Sequence, residues 1–287
     1  MAASVLGIIG GSGLYDLPGL EATEWRRVET PWGEPSDAIL FATYEGLPLR
    51  FLPRHGRGHR LSPSGINYRA NIDALKRAGV TDLLSVSAVG SLREEMAPGQ
   101  FVLVDQYIDR TFSRETSFFG DGCVAHVPFA QPVSARLVDV VFDAARARDI
   151  ACHAGGTLVV IEGPQFSSKA ESELYRFVGA HLVGMTALPE AKLAREAELP
   201  YATIAMVTDY DGWHAEHEAV DVAAVIATLG ANRAHAQALV AEVARRFPRE
   251  AMDDPARHAL DGAIMTAPEV RDAELVAKLD AVAGRVL

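Results

Sequence analysis

Two aspartates separated by one residue are the side chains best placed for chemistry in this 287-residue chain. They stand in Thr208-Asp209-Tyr210-Asp211, directly after the apolar run 201–207. That run is aliphatic and β-branched, which predicts a buried parallel strand. Ligands of α/β proteins bind at the carboxyl ends of such strands, and alternate side chains of an extended segment point the same way. The sequence therefore predicts that Asp209 and Asp211 face one ligand.

The two carboxyl groups suit the edge of a purine. A carboxylate accepts a hydrogen bond from an exocyclic amino group, and a protonated carboxyl beside it donates to a ring nitrogen. Adenine presents this combination at its 6-amino group and N7. When a glycosidic bond breaks, N7 takes up a proton, which a carboxylic acid held there can supply. Taken alone, the motif fits equally well two solvated acids in a loop.

Composition narrows the class of partner. The chain has 27 basic and 38 acidic residues and a formal net charge of −11, which argues against nucleic acid or an anionic membrane. Its two cysteines, Cys123 and Cys152, have no metal-binding spacing and are typical of a reducing cytosol. The first residues lack a basic region, and no apolar stretch reaches membrane-spanning length, so we expect a cytoplasmic protein.

Strands alternate with helices along most of the chain, which predicts one α/β domain over 1–287. Eight runs have the pattern of strands: 5–9, 38–44, 47–52, 83–87, 101–105, 156–161, 182–185 and 201–207. Helices are predicted within 67–78, around 137–145, from a Ser168/Glu171 capping box, from about 189, and in a long segment after Asp221. Residues 111–131 are predicted to be irregular, and about 252–287 to form a helical tail.

Two of these strands lead into segments suited to an anion. Gly10-Gly11-Ser12-Gly13 offers backbone amides and a hydroxyl, although it matches neither the dinucleotide nor the P-loop pattern. Arg54 follows the second hairpin strand and is suited to oxyanion binding, and His55 next to it can add a donor. The alternative interpretation of the glycine-rich segment is a tight turn, and that of Arg54 and His55 is a basic turn at the surface.

Other predicted strands also end in polar residues. Ser87 and Ala88 bring a hydroxyl and an amide to the same edge, and Met185 and Thr186 add a soft contact and a second hydroxyl. Phe166 follows the strand at 156–161 and can stack on a purine, although packing in the core is the commoner role of a phenylalanine.

One histidine pair resembles a metal site only superficially. His214 and His217 have no third ligand in register, and they do not form the H-E-x-x-H pattern. We therefore expect no metal.

Together, these segments resemble the trimeric purine nucleoside phosphorylase family, and most of all its branch that cleaves 5′-methylthioadenosine. The resemblance spans roughly residues 5–230, in the order of the family. The matching pieces are Gly7-Ile-Ile-Gly-Gly-Ser-Gly13, Arg54-His-Gly56, Asn67-Tyr-x-Ala-Asn71, Gly90-Ser-Leu-Arg-Glu-Glu95, Ile161-Glu-Gly-Pro164, Phe166-Ser-Ser168, Gly184-Met-Thr186, Pro189-Glu190 and Thr208-Asp-Tyr-Asp211.

The resemblance implies a single-domain three-layer α/β/α nucleoside phosphorylase fold with a central mixed β-sheet. It implies reversible phosphorolysis, in which orthophosphate is a co-substrate that displaces the purine from C1′, with no other cofactor. It also implies a homotrimer that binds a small-molecule nucleoside and phosphate.

Residue roles carry over position by position. The phosphate site would comprise Ser12, Arg54, His55, Ser87, the Ala88 amide and Thr186. The nucleoside site would comprise Met185 at the ribose, Phe166 and Ser167 at the purine, Asp209 at N7 and Asp211 at the 6-amino group. The apolar 5′ pocket would comprise Val222, Val225 and Ile226, with His126 and the region of Ile264 and Met265 reaching in from a neighbouring subunit.

The chain departs from the family pattern at Gly184, where eukaryotic members carry Asn, and at Ser12 and Ser87, where threonine is frequent. Three alternatives remain. A methylthioinosine or general 6-oxopurine phosphorylase typically has Asn at the position of Asp209, because an amide donates to O6. A nucleotide-binding oxidoreductase fits the glycine-rich first strand but lacks the fingerprint. A non-catalytic purine-binding protein retains the pocket without turnover.

Overall fold

A single mixed sheet of eleven strands organises the computed structural model, which describes residues 3–11, 13–214 and 222–287, with only the backbone at 222–224. The strands are β1 (Leu6–Gly10), β2 (Glu21–Arg26), β3 (Ile39–Tyr44), β4 (Leu47–Pro53), β5 (Asp82–Ser91), β6 (Phe101–Val104), β7 (Gln106–Arg110), β8 (Cys152–Ala154), β9 (Thr157–Ile161), β10 (Leu182–Gly184) and β11 (Tyr201–Tyr210). The helices are α1 (Tyr68–Arg77), α2 (Ala135–Ala147), α3 (Lys169–Phe177), α4 (Ala187–Glu196), α5 (Val222–Arg246), α6 (Ala273–Lys278) and α7 (Asp280–Ala283). Short 3₁₀ turns occupy Pro63–Gly65, Pro255–His258 and Pro268–Val270.

Helices cover both faces of the sheet. Successive side chains of a strand point to opposite faces, so each strand contributes to a core on either side. In β1, Ile8 packs in a core with Leu137 of α2 and Leu239 of α5. Its neighbour Ile9 packs in the opposite core with Leu75 of α1 and with α4. The predicted three-layer α/β/α arrangement in one domain is confirmed.

Strand β5 is the branch point of the sheet. It pairs in parallel with β1 and β11 and antiparallel with β10. The pairing with β1 reaches only to Ser85, opposite Ile9, whereas β5 continues to Ser91. One edge of β5 is therefore open over residues 86–89, between its pairing with β1 and its pairing with β10 at Gly90 and Ser91.

The predicted elements are present, but two strand ends were wrong. β5 was expected to end at Ser87 and β11 at Val207, yet they run to Ser91 and Tyr210. Strands β2, β7 and β8 were not predicted. β2 lies mostly exposed and has no apolar alternation to reveal it, and β8 has three residues.

The two predicted helix N-caps have different outcomes. The capping box of α3 is confirmed, because Ser168 Oγ accepts from the Glu171 amide and the Glu171 side chain accepts from the Ser168 amide. The proposed cap Asp221 lies outside the described residues. The region from about residue 252 contains α6 and α7, and Asp280 of α7 pairs with Arg77 of α1.

A bulge interrupts the pairing of β11 with β5. Val207 is opposite Val89 and Asp209 is opposite Gly90, so Thr208 has no partner residue in the register. β-bulges of this kind redirect side chains next to functional sites.

A buried ion pair joins the strands near this edge. Arg54, 2% exposed, binds Glu190, 1% exposed, through Nε–Oε2 at 3.0 Å and Nη2–Oε1 at 3.1 Å. Arg54 also donates to the Val86 carbonyl at 3.0 Å and to Ser85 Oγ at 2.6 Å. Tyr201 OH donates to Glu190 Oε1 at 2.8 Å. Every charge in this network is compensated, as burial requires.

Glu190→Gln leaves the Arg54 guanidinium buried without a counter-charge. We expect the free energy of unfolding to fall by about 3–5 kcal/mol in a urea titration. Glu274→Gln, which breaks the exposed Glu274–Lys278 pair, is the matched control and should change it by less than about 1 kcal/mol. Equal unfolding midpoints for the two variants would contradict this assignment.

Candidate active site

Asp209 and Asp211 converge above one glycine. A Cβ placed on Gly90 would lie 3.0 Å from Asp209 Oδ1 and 3.3 Å from Asp211 Cβ. Gly90 therefore leaves the space that the Asp209 carboxylate and the Cβ of Asp211 occupy, and a side chain there would displace them. Both side chains thus lie beside Gly90, within and just after β11 rather than beyond a strand ending at Val207, and that they face one ligand stays a prediction.

The two carboxyl groups have different hydroxyl partners. Thr208 Oγ1 lies 2.6 Å from Asp209 Oδ2, and Ser172 of α3 donates to Asp211 Oδ2. Burial raises the pKa of Asp209 to about 6, with a further contribution from the charge of Asp211. Burial also raises the pKa of Asp211, while the Ser172 hydroxyl acts in the opposite direction. Asp209 is thus suited to carrying a proton near neutral pH.

The open edge of β5 carries the residues predicted to bind phosphate. Ser87 and Ala88 lie inside β5 rather than at its end. Because backbone groups alternate along a strand, the Ala88 amide points to the same side as the Val86 carbonyl, which accepts from Arg54. Arg54 directs four of its five N–H groups at acceptors, which leaves one N–H of Nη1 without an acceptor among the described residues.

His55 lies beside Arg54 with one ring nitrogen already in use. Its Nδ1 lies 2.9 Å from the Leu61 carbonyl oxygen, which only accepts, so Nδ1 carries the proton of the neutral ring. Burial, and also the nearby Arg54 charge, lower the pKa of His55 to about 4. The neutral ring presents Nε2 as an acceptor, and the role of His55 as a donor to phosphate stays a prediction.

Met185 and Thr186 lie where β10 leads into α4. Thr186 is 6% exposed, and its hydroxyl does not cap the helix, which leaves it available to a ligand. Gly163, at φ +68°, lets Met185 Sδ approach within 2.6 Å of where its Cβ would be. Met185 is thus held by the loop that follows β9.

Arg114, which was not predicted from the sequence, has a buried side chain that hydrogen-bonds to the loop after β9 and to the start of α4. Arg114, in the irregular segment, donates to the carbonyls of Met185 at 2.6 Å, Leu188 at 2.7 Å and Glu162 at 2.7 Å. Its guanidinium also lies 3.4 Å from Glu162 Oε1. One side chain therefore positions the loop after β9 and the start of α4.

The residues predicted to meet the purine lie after β9. Phe166 is 42% exposed and forms part of a cleft of about 450 Å³ that is also lined by Glu162 and Tyr175. The Ser167 hydroxyl lies near Asp211 and acts to lower the pKa of that carboxyl, against the larger effect of burial.

Part of the predicted site lies outside the described residues. Ser12 and the side chain of Val222 are in this category. On α5, Val225 is half-buried and Ile226 is 61% exposed.

The residues expected to reach a neighbouring subunit lie side by side. The His126 amide donates to the Ala263 carbonyl at 2.9 Å, and the Met265 amide donates to the Val124 carbonyl at 2.8 Å. His126 and Met265 are both exposed. Two segments far apart in the sequence thus pair with each other at the surface, and their reach into a neighbouring subunit stays a prediction.

Glu190 and Ser172 were also missed as functional residues. Each acts by completing the hydrogen bonds of a predicted site residue, Arg54 and Asp211 respectively. A buried arginine needs a carboxylate partner, so the sequence could have predicted that Arg54 has one, but it could not show that this partner is Glu190.

The described residues contain no helix with the length and apolar character of a membrane span. Among them, no group of three potential ligands from His, Cys, Asp and Glu is placed to hold a metal ion.

The chain is similar to known proteins over nearly its full length. Residues 5–245 match the model of the phosphorylase superfamily. The S-methyl-5′-thioadenosine phosphorylase of Cereibacter sphaeroides is 60% identical over 286 residues, covering 99% of both chains. That of Bradyrhizobium diazoefficiens is 61% identical over 289 residues, covering 100% of this chain and 99% of the relative.

The chain is also similar in structure to solved methylthioadenosine phosphorylases. A methylthioadenosine phosphorylase from an antarctic soil metagenomic library has a TM-score of 0.93 at 46% identity, covering 98% of this chain and 99% of that one. The methylthioadenosine phosphorylase from Schistosoma mansoni in complex with adenine has a TM-score of 0.85 at 35% identity, covering 91% and 99%. The chain therefore belongs to the phosphorylase superfamily, and within it to the family of its S-methyl-5′-thioadenosine phosphorylase relatives.

Proposed function

We propose that this enzyme catalyses the reversible phosphorolysis of S-methyl-5′-thioadenosine to adenine and 5-methylthioribose 1-phosphate. The observation that carries the proposal is half-buried Asp209 next to buried Asp211, both beside Gly90, with the pKa of Asp209 raised to about 6. A carboxyl that holds a proton beside one that accepts hydrogen bonds matches N7 and the 6-amino group of adenine.

The reaction needs positioning more than covalent chemistry from the protein. A phosphate oxygen forms a bond to C1′ as the bond from C1′ to N9 breaks, and positive charge develops on the sugar between them. Asp209 transfers its proton to N7, so that adenine leaves neutral. Phosphate held by the Arg54 N–H, the Ala88 amide and the hydroxyls of Ser87 and Thr186 stabilises that charge. Met185 contacts the ribose.

The remaining roles follow from the same placement. Phe166 and Ser167 line the purine, with Ser12 completing the phosphate site and the α5 residues Val222, Val225 and Ile226 forming the apolar 5′ pocket. His126 reaches this pocket from a neighbouring subunit of a homotrimer. The surface pairing of the segment at His126 with the segment at Met265 supports this role. Orthophosphate is the co-substrate, no other cofactor is needed, and the enzyme acts in purine and methionine salvage in the cytoplasm.

Purified protein should release adenine from 5′-methylthioadenosine only when phosphate is present. Adenosine, methylthioinosine and inosine serve as comparison substrates, with free base measured by chromatography. We expect slower turnover of both inosine compounds, because an ionised Asp211 repels O6. Preferred turnover of those compounds would contradict the base assignment, and no turnover of any substrate would favour a non-catalytic purine-binding protein.

Asp209→Asn keeps a hydrogen-bond donor at N7 but cannot transfer a proton. We expect kcat to fall by about 10²–10⁴-fold, the usual contribution of a general acid. Asp211→Asn, the matched variant, should mainly raise KM, by about tenfold for one weakened hydrogen bond. A near-wild-type kcat for Asp209→Asn would reject the role of Asp209 as the acid.

The pH dependence follows from the raised pKa of Asp209. The acid acts while protonated, so kcat/KM should be highest below about pH 6 and fall as pH rises through about 6. His55, with its pKa lowered to about 4, stays neutral throughout this range. The check is to measure kcat/KM against pH at saturating phosphate for the wild type and for Asp209→Asn, in which we expect no fall near pH 6. The same fall in that variant would assign the titration to another group.

A further inference from the structure

The bulge in β11 places a hydroxyl against the acid. Neighbouring side chains of a regular strand point to opposite faces of the sheet. Thr208 is the residue that the register skips, and its Oγ1 lies 2.6 Å from Oδ2 of the next residue, Asp209. Thr208 is 4% exposed, so water does not compete for this contact.

The Thr208 hydroxyl has one proton and two acceptors within reach. Asp209 Oδ2 lies at 2.6 Å and the Val89 carbonyl oxygen at 3.2 Å. A hydrogen bond to a carboxylate is shorter and stronger than one to a neutral carbonyl. The hydroxyl therefore donates to Oδ2.

The other carboxyl oxygen of Asp209 has different surroundings. Oδ1 lies in the space left by the missing side chain of Gly90. Among the described residues, none donates a hydrogen bond to Oδ1. The two oxygens of this acid are thus distinguished by their partners.

We propose that Thr208 is a positioning residue that keeps the acidic proton of Asp209 on Oδ1, where it faces the base. This inference rests on the proposed role of Asp209 in protonating N7. As the proton leaves Oδ1 for N7, negative charge forms on the carboxyl group, and the Thr208 O–H already points at Oδ2. The hydroxyl stabilises the carboxylate that the reaction produces.

Few other charges act on Asp209. Asp211 on its own strand is the ionisable neighbour that raises its pKa, and Glu171 of α3 acts on Asp211. Strand β5 contributes uncharged Gly90 and Val89, and β10 contributes Val183 beside Gly90. Removal of the hydroxyl should therefore be visible in the titration of Asp209.

Thr208→Val, close to threonine in size, removes the hydroxyl, and Thr208→Ser keeps it. The full chain with ¹³C-labelled aspartate is titrated by NMR without substrate, and the Asp209 carboxyl signal is assigned by its loss in Asp209→Asn. We expect Thr208→Val to raise the pKa of Asp209 by about one unit and Thr208→Ser to leave it within about 0.3 units. Thr208→Ala also removes the hydroxyl, and we expect it to raise the pKa of Asp209 as well. An unchanged pKa in the two variants without a hydroxyl would overturn the proposal.

Phosphorolysis kinetics provide the second readout. We expect Thr208→Val to lower kcat by about tenfold with little change in KM, and Thr208→Ser to rescue it. A lower kcat without a shifted titration would indicate altered packing and overturn the proposal. Because the titration needs no turnover, a wild-type protein inactive on every nucleoside would reject the proposed function separately from the contact between Thr208 and Asp209.

Discussion

The buried pair of Arg54 and Glu190 is the constraint on which the site depends. A guanidinium with 2% exposure is tolerable only when its charge and its N–H groups are matched. The acceptors that match it come from β1, β5 and α4, and Tyr201 of β11 binds the same carboxylate. The carboxyl ends of β1 and β4 are therefore fixed against the middle of β5, next to the edge where the phosphate is proposed to lie.

The two aspartates of the site are the same residue type but have different surroundings. Both lie beside Gly90, and burial raises the pKa of each carboxyl group. Their partners separate them: Thr208 is brought to Asp209 by a bulge within the strand, whereas Ser172 reaches Asp211 from α3. An acid and an acceptor placed side by side are what a 6-aminopurine requires at N7 and at its amino group.

The sequence predicted the parts of the site that follow from local pattern. Asp209 and Asp211 were recognisable because two acids after a β-branched run are a local signal. Glu190 was not, because its partner Arg54 lies 136 residues away and no periodicity relates them. Ser172 was not recognisable for the same reason, because it lies 39 residues from Asp211 in the sequence. The bulge at Thr208 depends on the register with β5, which the residues of β11 alone do not specify.

In the proposed reaction Asp209 faces N7 of adenine and Asp211 faces the 6-amino group. A crystal structure of the enzyme with adenine and phosphate would show both contacts. We expect N7 within about 3.2 Å of Asp209 Oδ1, and the amino nitrogen at a similar distance from Asp211. Phosphate should lie along the open edge of β5. Adenine bound with its N7 edge turned away from both aspartates would reject this assignment of the two acids.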